Sequence, residues 1–152
     1  MVTAIHVSKL FLAWATENGD LVTNLKLQKL LYYAQAWYLV NYQRRLFTEP
    51  IEAWKFGPVV RSAYFRWKKY SSTPIPYKCQ GDEESAFQTR QLKFLTEFYR
   101  VFGGFSATEL VSMTHNEDPW KEAYARGANS EITPVAMKAY YSKLYASHGK
   151  QA

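Results

Sequence analysis

Thr23-Asn24-Leu25-Lys26-Leu27-Gln28-Lys29-Leu30-Leu31-Tyr32-Tyr33-Ala34-Gln35-Ala36-Trp37-Tyr38 is the longest periodic stretch of the chain. Leu27, Leu30, Leu31, Ala34 and Tyr38 recur at i, i+3, i+4, i+7 and i+11, the one-face spacing of a helix packed on a core. Leu25, Tyr32, Trp37 and Val40 lie off that stripe, so the helix needs neighbours on two sides. Thr23 or Asn24 can cap its start by accepting a hydrogen bond from an unpaired backbone N–H. The spacing predicts a central helix over 24–42, about 28 Å long at roughly 1.5 Å per residue.

Working outward, Val7, Leu10, Phe11 and Trp14 predict a first helix over 4–18, stopped at Gly19. Beyond the central helix, Thr48-Glu49-Pro50 breaks the chain, and Ile51 to Phe56 reads as a short extended segment. Gly57-Pro58 predicts the start of a third helix reaching about Tyr70, because proline suits the first helical position. Residues 71–84 read as a loop or lid, with the acidic trio Asp82-Glu83-Glu84 opening a helix from about Glu84 to Phe102. Ser106-Ala107-Thr108-Glu109 fits a capping box for a short helix ending near His115. Asp118-Pro119 should cap another, closed by Gly127, and Thr133-Pro134 begins the last. Residues 147–152 are expected to fray. The sum is an all-α or mostly α fold, a compact multi-helix single domain over 1–152, with at most one short extended segment or hairpin near 51–56.

Size and charge narrow the function. A chain of 152 residues can bury a sizeable core. The net charge of +6 is uneven: residues 1–78 hold 11 Lys and Arg against 4 Asp and Glu, and the remainder 8 against 9. A basic half favours acidic partners, whether nucleic acid, anionic protein or phosphate-bearing ligand. Lys26, Lys29, Lys55, Arg61, Arg66, Lys68 and Lys69 interleave with Tyr32, Tyr33, Tyr64 and Phe65, a basic-aromatic pattern. A single cysteine, Cys79, permits no intrachain disulfide. No signal-peptide layout opens the chain, and no apolar run approaches the ~20 residues that span a bilayer, so a cytoplasmic protein without membrane contact is expected.

Reaction chemistry is thin. His6, His115 and His148 sit in no telling motif, and Cys79 has no histidine nearby in sequence. No nucleophile elbow or phosphate-cradling glycine loop occurs. His115-Asn116-Glu117-Asp118 offers two ligands where a metal site needs three or four. The expectation is therefore no catalytic residue, no metal and no cofactor.

Leu25 to Gln35, followed by Ile51-Glu52-Ala53-Trp54-Lys55-Phe56-Gly57-Pro58-Val59-Val60, resembles the signature of the Panacea domain, also called the SocA-like or GepA-type phage-associated family. Ser112-Met113-Thr114-His115 with Trp120 is similar to that family's C-terminal part. The resemblance implies a non-catalytic antitoxin that neutralises a cognate toxin by direct protein contact in a toxin-antitoxin system, in some relatives prophage-linked or delivering a toxin to a protease. The alternative is a DNA-binding autoregulator or proteolytic adaptor using the basic first half. Relatives often carry an added N-terminal DNA-binding segment that this sequence does not show, which weighs against nucleic acid as partner. Lys29, Tyr32, Tyr33, Trp54, Lys55, Gly57, Pro58 and Val59 match the motif, and part of this set is expected to form a partner-facing groove, with Gly57 and Pro58 shaping the backbone. On that reading, substituting Lys29 or Tyr33 leaves folding intact and abolishes rescue from the toxin.

Overall fold

The computed structural model describes residues 1–148. The expectation of fraying lies mostly outside that range; Ser147 and His148 continue the last helix. The described residues form seven α-helices and a small sheet: α1 (Ala4–Asn18), α2 (Asn24–Tyr42), β1 (Ile51–Trp54), β2 (Gly57–Val59), α3 (Arg61–Trp67), α4 (Thr89–Phe102), α5 (Ala107–His115), α6 (Asp118–Arg126), β3 (Ser130–Ile132) and α7 (Pro134–His148). The fold is mostly α, as expected.

α2 occupies the middle, packed by α1, α3, α4, α5 and α7. Thr23 caps it, its side chain accepting from the Lys26 N–H, and Gln43 ends it in the left-handed conformation. Fourteen of its nineteen residues are buried, so it is enclosed on all sides rather than two. The core runs from Leu10 and Phe11 through Leu27, Leu30, Leu31 and Ala34 to Leu95, Leu110, Met137 and Tyr141.

Enclosing a helix that carries Asn24, Lys26, Gln28, Lys29 and Gln35 forces each polar group to find a protein partner, since a buried unpaired one costs ~1–3 kcal/mol. Each finds backbone of a neighbouring segment. Lys26 Nζ donates to the Gly103 carbonyl at 2.8 Å, and Asn24 Nδ2 to that of Tyr64 at 3.1 Å. Gln35 holds both the Leu46 N–H at 2.7 Å and the Phe47 carbonyl at 2.6 Å. Gln28 accepts from the Val60 N–H at 3.0 Å, and Lys29 Nζ donates to the Pro58 carbonyl at 3.1 Å. The central helix thus fastens the chain on either side of Gly57-Pro58.

Three expectations need correction. Gly57-Pro58 does not open a helix: both residues lie in β2, paired antiparallel to β1 through Ala53 with Pro58 and Trp54 with Gly57, and α3 begins at Arg61. Proline is tolerated because β2 is an edge of the sheet, whose order is β2-β1-β3. The extended region is also larger than one hairpin, since β3 adds to β1 with Ile51 opposite Ile132. The acidic trio opens no long helix. Glu83 turns back on its own loop, accepting from Tyr77 Oη at 2.8 Å, Gln80 N at 2.6 Å and Gly81 N at 3.0 Å, and α4 starts later, at Thr89. Ser106 and Glu109 do form the capping box of α5, and Gly127 closes α6.

Candidate functional site

The eight motif residues divide by depth. Lys29, Tyr32, Tyr33, Gly57, Pro58 and Val59 are buried, Trp54 is half-buried and Lys55 is exposed. Four of the eight, Lys29, Trp54, Lys55 and Val59, line one groove, and the other four lie beneath or beside it. Lys29 and Tyr33 both act from the interior of the protein. Lys26, read as part of the basic-aromatic face, is interior as well.

Beneath the hairpin, Gly57 adopts φ +114°, a conformation that side chains disfavour. A Cβ there would stand 2.4 Å from Lys29 Cε and 3.1 Å from Thr114 Oγ1. Glycine is required twice, by backbone angle and by the lysine stem crossing beneath it. Lys29 is 0% exposed, and among the described residues its amine hydrogen-bonds only to the Pro58 carbonyl. Desolvation lowers its pKa from the ordinary 10.5 to about 7. His115 is held below its usual value by burial and then by the Lys29 charge, and its ring stacks on Trp120 at 4.0 Å. Trp120 Nε1 donates to the Trp54 carbonyl at 2.8 Å, tying α6 to the hairpin.

A second buried cluster lies farther along α2. Tyr33 Oη donates to Glu117 Oε1 at 2.5 Å and Tyr141 Oη donates to the same oxygen at 2.7 Å. Tyr32 and Tyr141 hydroxyls are 2.9 Å apart. With the Tyr141 proton committed to Glu117, Tyr32 is the donor of that last bond. Burial raises the Glu117 pKa despite the two phenols, which by themselves would lower it. The same burial and the carboxylate push Tyr33 and Tyr141 well above the phenol range. The sequence assigned Glu117 no role of its own, the two ligand types in its run being His115 and Asp118; only the packing of α7 on α2 brings Glu117 to Tyr141. Among the described residues no three His, Cys, Asp or Glu side chains gather as a metal site, and no helix is long and apolar enough to cross a membrane.

Above Lys29 the surface opens into a groove of about 330 Å³ between the start of α2, the hairpin and α3. Leu25, Trp54, Phe56 and Tyr64 line it, with Lys55 and Lys68 at its edge and Lys29 in its wall. Phe56 is 61% exposed and Phe65, beside it on α3, 51%. Trp54 and Tyr64 rings sit 4.8 Å apart, and the Arg61 guanidinium lies 5.4 Å over Trp54. Arg61 is fixed there by Glu52, at 2.9 and 3.3 Å, while the other contact of that carboxylate is Trp54 Nε1 at 2.9 Å. Lys68 Nζ stands 5.4 Å over Phe65. Among the described residues no carboxylate lines the groove.

The model of the family described as "Antitoxin SocA-like, Panacea domain" matches residues 27–121. The chain belongs to the SocA-like Panacea family. The match begins within α2 and ends just past Trp120, so it takes in the hairpin, its supports and all of the groove but Asn24 and Leu25. A curated relative, "Antitoxin SocA" of Caulobacter vibrioides (strain NA1000 / CB15N), is 47% identical over 78 residues, covering 51% of this chain and 35% of the relative. The aligned part thus spans about a third of that SocA protein. No solved structure matches the chain.

Proposed function

We propose that this chain is a single SocA-like domain that acts in the cytoplasm without catalysis, neutralising a cognate toxin by direct protein contact through the hairpin and α3. The reading rests on the family and on one observation: interior polar groups of α2 hold the hairpin rigidly, leaving Trp54, Lys55, Phe56, Tyr64, Phe65 and Lys68 as a ring-and-cation face with no carboxylate in its groove. Aromatic side chains with a polar or cationic fringe are the composition of interface cores, and preformed surfaces lose less entropy on binding. Tyr32, Tyr33, Gly57 and Pro58 act on this reading by shaping the face from below, while Lys29 and Val59 line its groove.

The test is growth on co-expression with the toxin encoded by the neighbouring open reading frame. Lys55→Glu with Lys68→Glu, both on exposed positions, should abolish rescue while leaving the thermal unfolding midpoint unchanged. Full rescue by that double variant refutes the assignment of this face. Exposed Arg61, Arg66, Lys68 and Lys69 on and just after α3 favour a second reading, an autoregulator that binds DNA. Tight duplex binding in a mobility shift, falling steeply with salt, together with a non-toxic neighbour gene, would favour it.

A further inference from the structure

Lys29 is a buried amine with one acceptor among the described residues, the Pro58 carbonyl, although a lysine ammonium carries three donors. The other polar groups of the groove wall are spoken for: Asn24 is bonded to Tyr64 and Gln28, and Gln28 to Val60. Of the buried polar side chains in that wall, Lys29 is the one with donors to spare among the described residues, while Ser71 and Ser72 line the groove from exposed positions. Two further cations, Lys55 and Lys68, flank the opening, and His115 on α5 is the titratable neighbour that feels the Lys29 charge. Leu25, Trp54, Phe56 and Tyr64 supply apolar walls around this polar floor. An enclosure with hydrophobic walls and a few convergent donors takes a ligand of matching pattern, an apolar body bearing an anion. Its volume suits one or two side chains.

We propose that this groove receives an acidic, aromatic-bearing segment of a protein partner, one carboxylate seating on the Lys29 amine and the adjoining ring packing between Trp54 and Tyr64. This deepens the proposed neutralising contact by naming the chemistry of the part it grips. A charge-assisted hydrogen bond in a water-poor site is strong, and the seated carboxylate would fix Lys29 in its ammonium form. Binding is then accompanied by proton uptake near neutral pH, because desolvation leaves Lys29 half-protonated at about pH 7 when the groove is empty.

The experiment follows the lysine Cε resonances of the full chain, carbon-13 labelled at lysine, across a pH titration with N-acetyl-Asp-Phe-Asp-Phe-amide or its Asn-for-Asp counterpart. Lys29 is assigned by the resonance missing from Lys29→Met. The acidic peptide should raise the Lys29 midpoint by at least about one unit, a tenfold gain in proton affinity, and the amide peptide should not. Leu25→Trp, which fills the groove from an exposed position, should erase the shift without changing the unfolding midpoint. The proposal is overturned if the acidic peptide moves only Lys55 and Lys68, if both peptides act alike, or if Leu25→Trp keeps the shift. No toxin enters this measurement, so its failure beside a loss of growth rescue in the Lys55/Lys68 variant would refute the carboxylate seat and leave neutralisation through this face standing.

Discussion

Replacing Lys29 with Met should stabilise the protein near neutral pH, and the gain should fade as the pH rises. Folding lowers the Lys29 pKa from 10.5 to about 7 by stripping water from the ammonium. At roughly 1.4 kcal/mol per unit, holding the residue in the fold at pH 7 costs on the order of 4–5 kcal/mol. Met preserves the apolar stem beneath Gly57 and carries no charge. It also leaves the Pro58 carbonyl without its donor, a loss of about 1–3 kcal/mol. The net expectation at pH 7 is a gain of about 1–4 kcal/mol. The sign with pH follows from proton counting: between about 7 and 10.5 the unfolded chain holds a proton on Lys29 that the folded chain has released, so wild-type stability rises with pH across that window. The advantage of Lys29→Met should therefore shrink by about 2–3 kcal/mol between pH 7 and 9. Urea unfolding of both proteins at intervals over that range measures it, and taking the difference cancels contributions from Lys26 and the tyrosines. A constant gap would refute the reasoning, as would a variant less stable at pH 7 by the several kcal/mol expected of a lost core side chain. A stabilised variant that fails to rescue growth would show that the amine is retained for contact rather than for folding.

Two further outcomes follow from the interior. Gly57→Ala should cost about 2–4 kcal/mol in urea unfolding, since φ +114° strains any side chain and the new Cβ meets Lys29 Cε; a cost under about 1 kcal/mol would mean that hairpin and lysine are not packed as described. Glu117→Leu strands the Tyr33 and Tyr141 hydroxyls and should cost about 2–5 kcal/mol, whereas Glu117→Gln keeps an accepting oxygen and should cost about 1 or less. Because burial raises the Glu117 pKa above 4.5, its folded form holds the proton more tightly than the unfolded chain does. That contribution is present below pH 4.5 and lost as pH climbs through the folded value, and Glu117→Gln should remove it from the acid limb of the stability curve.

The sequence by itself determined the helices that carry their own local signals. The 24–42 helix, the Gly19 stop and the Ser106-Glu109 capping box depend on residues within a few positions of one another, and each appears where the spacing put it. The family was legible for a similar reason, because the Leu25–Gln35 and Ile51–Val60 blocks are contiguous. Depth was not legible. Lys26, Lys29, Tyr32 and Tyr33 read as a face because polar groups on a helix ordinarily seek water, yet α2 is enclosed by five helices and those groups are satisfied by backbone 29 and 77 residues away, by Glu117 at 84 and by Tyr141 at 109. Pro58 entered an edge strand rather than a helix because its partner strand and the Lys29 amine were available to it. Glu117 and Tyr141 met only when α7 packed on α2. Local hydrogen bonding and periodicity fix which segments coil; which side of a segment meets solvent is settled by long-range packing, and that is what leaves Trp54, Lys55, Phe56 and Phe65 as the face of the molecule while drawing Lys29 beneath them.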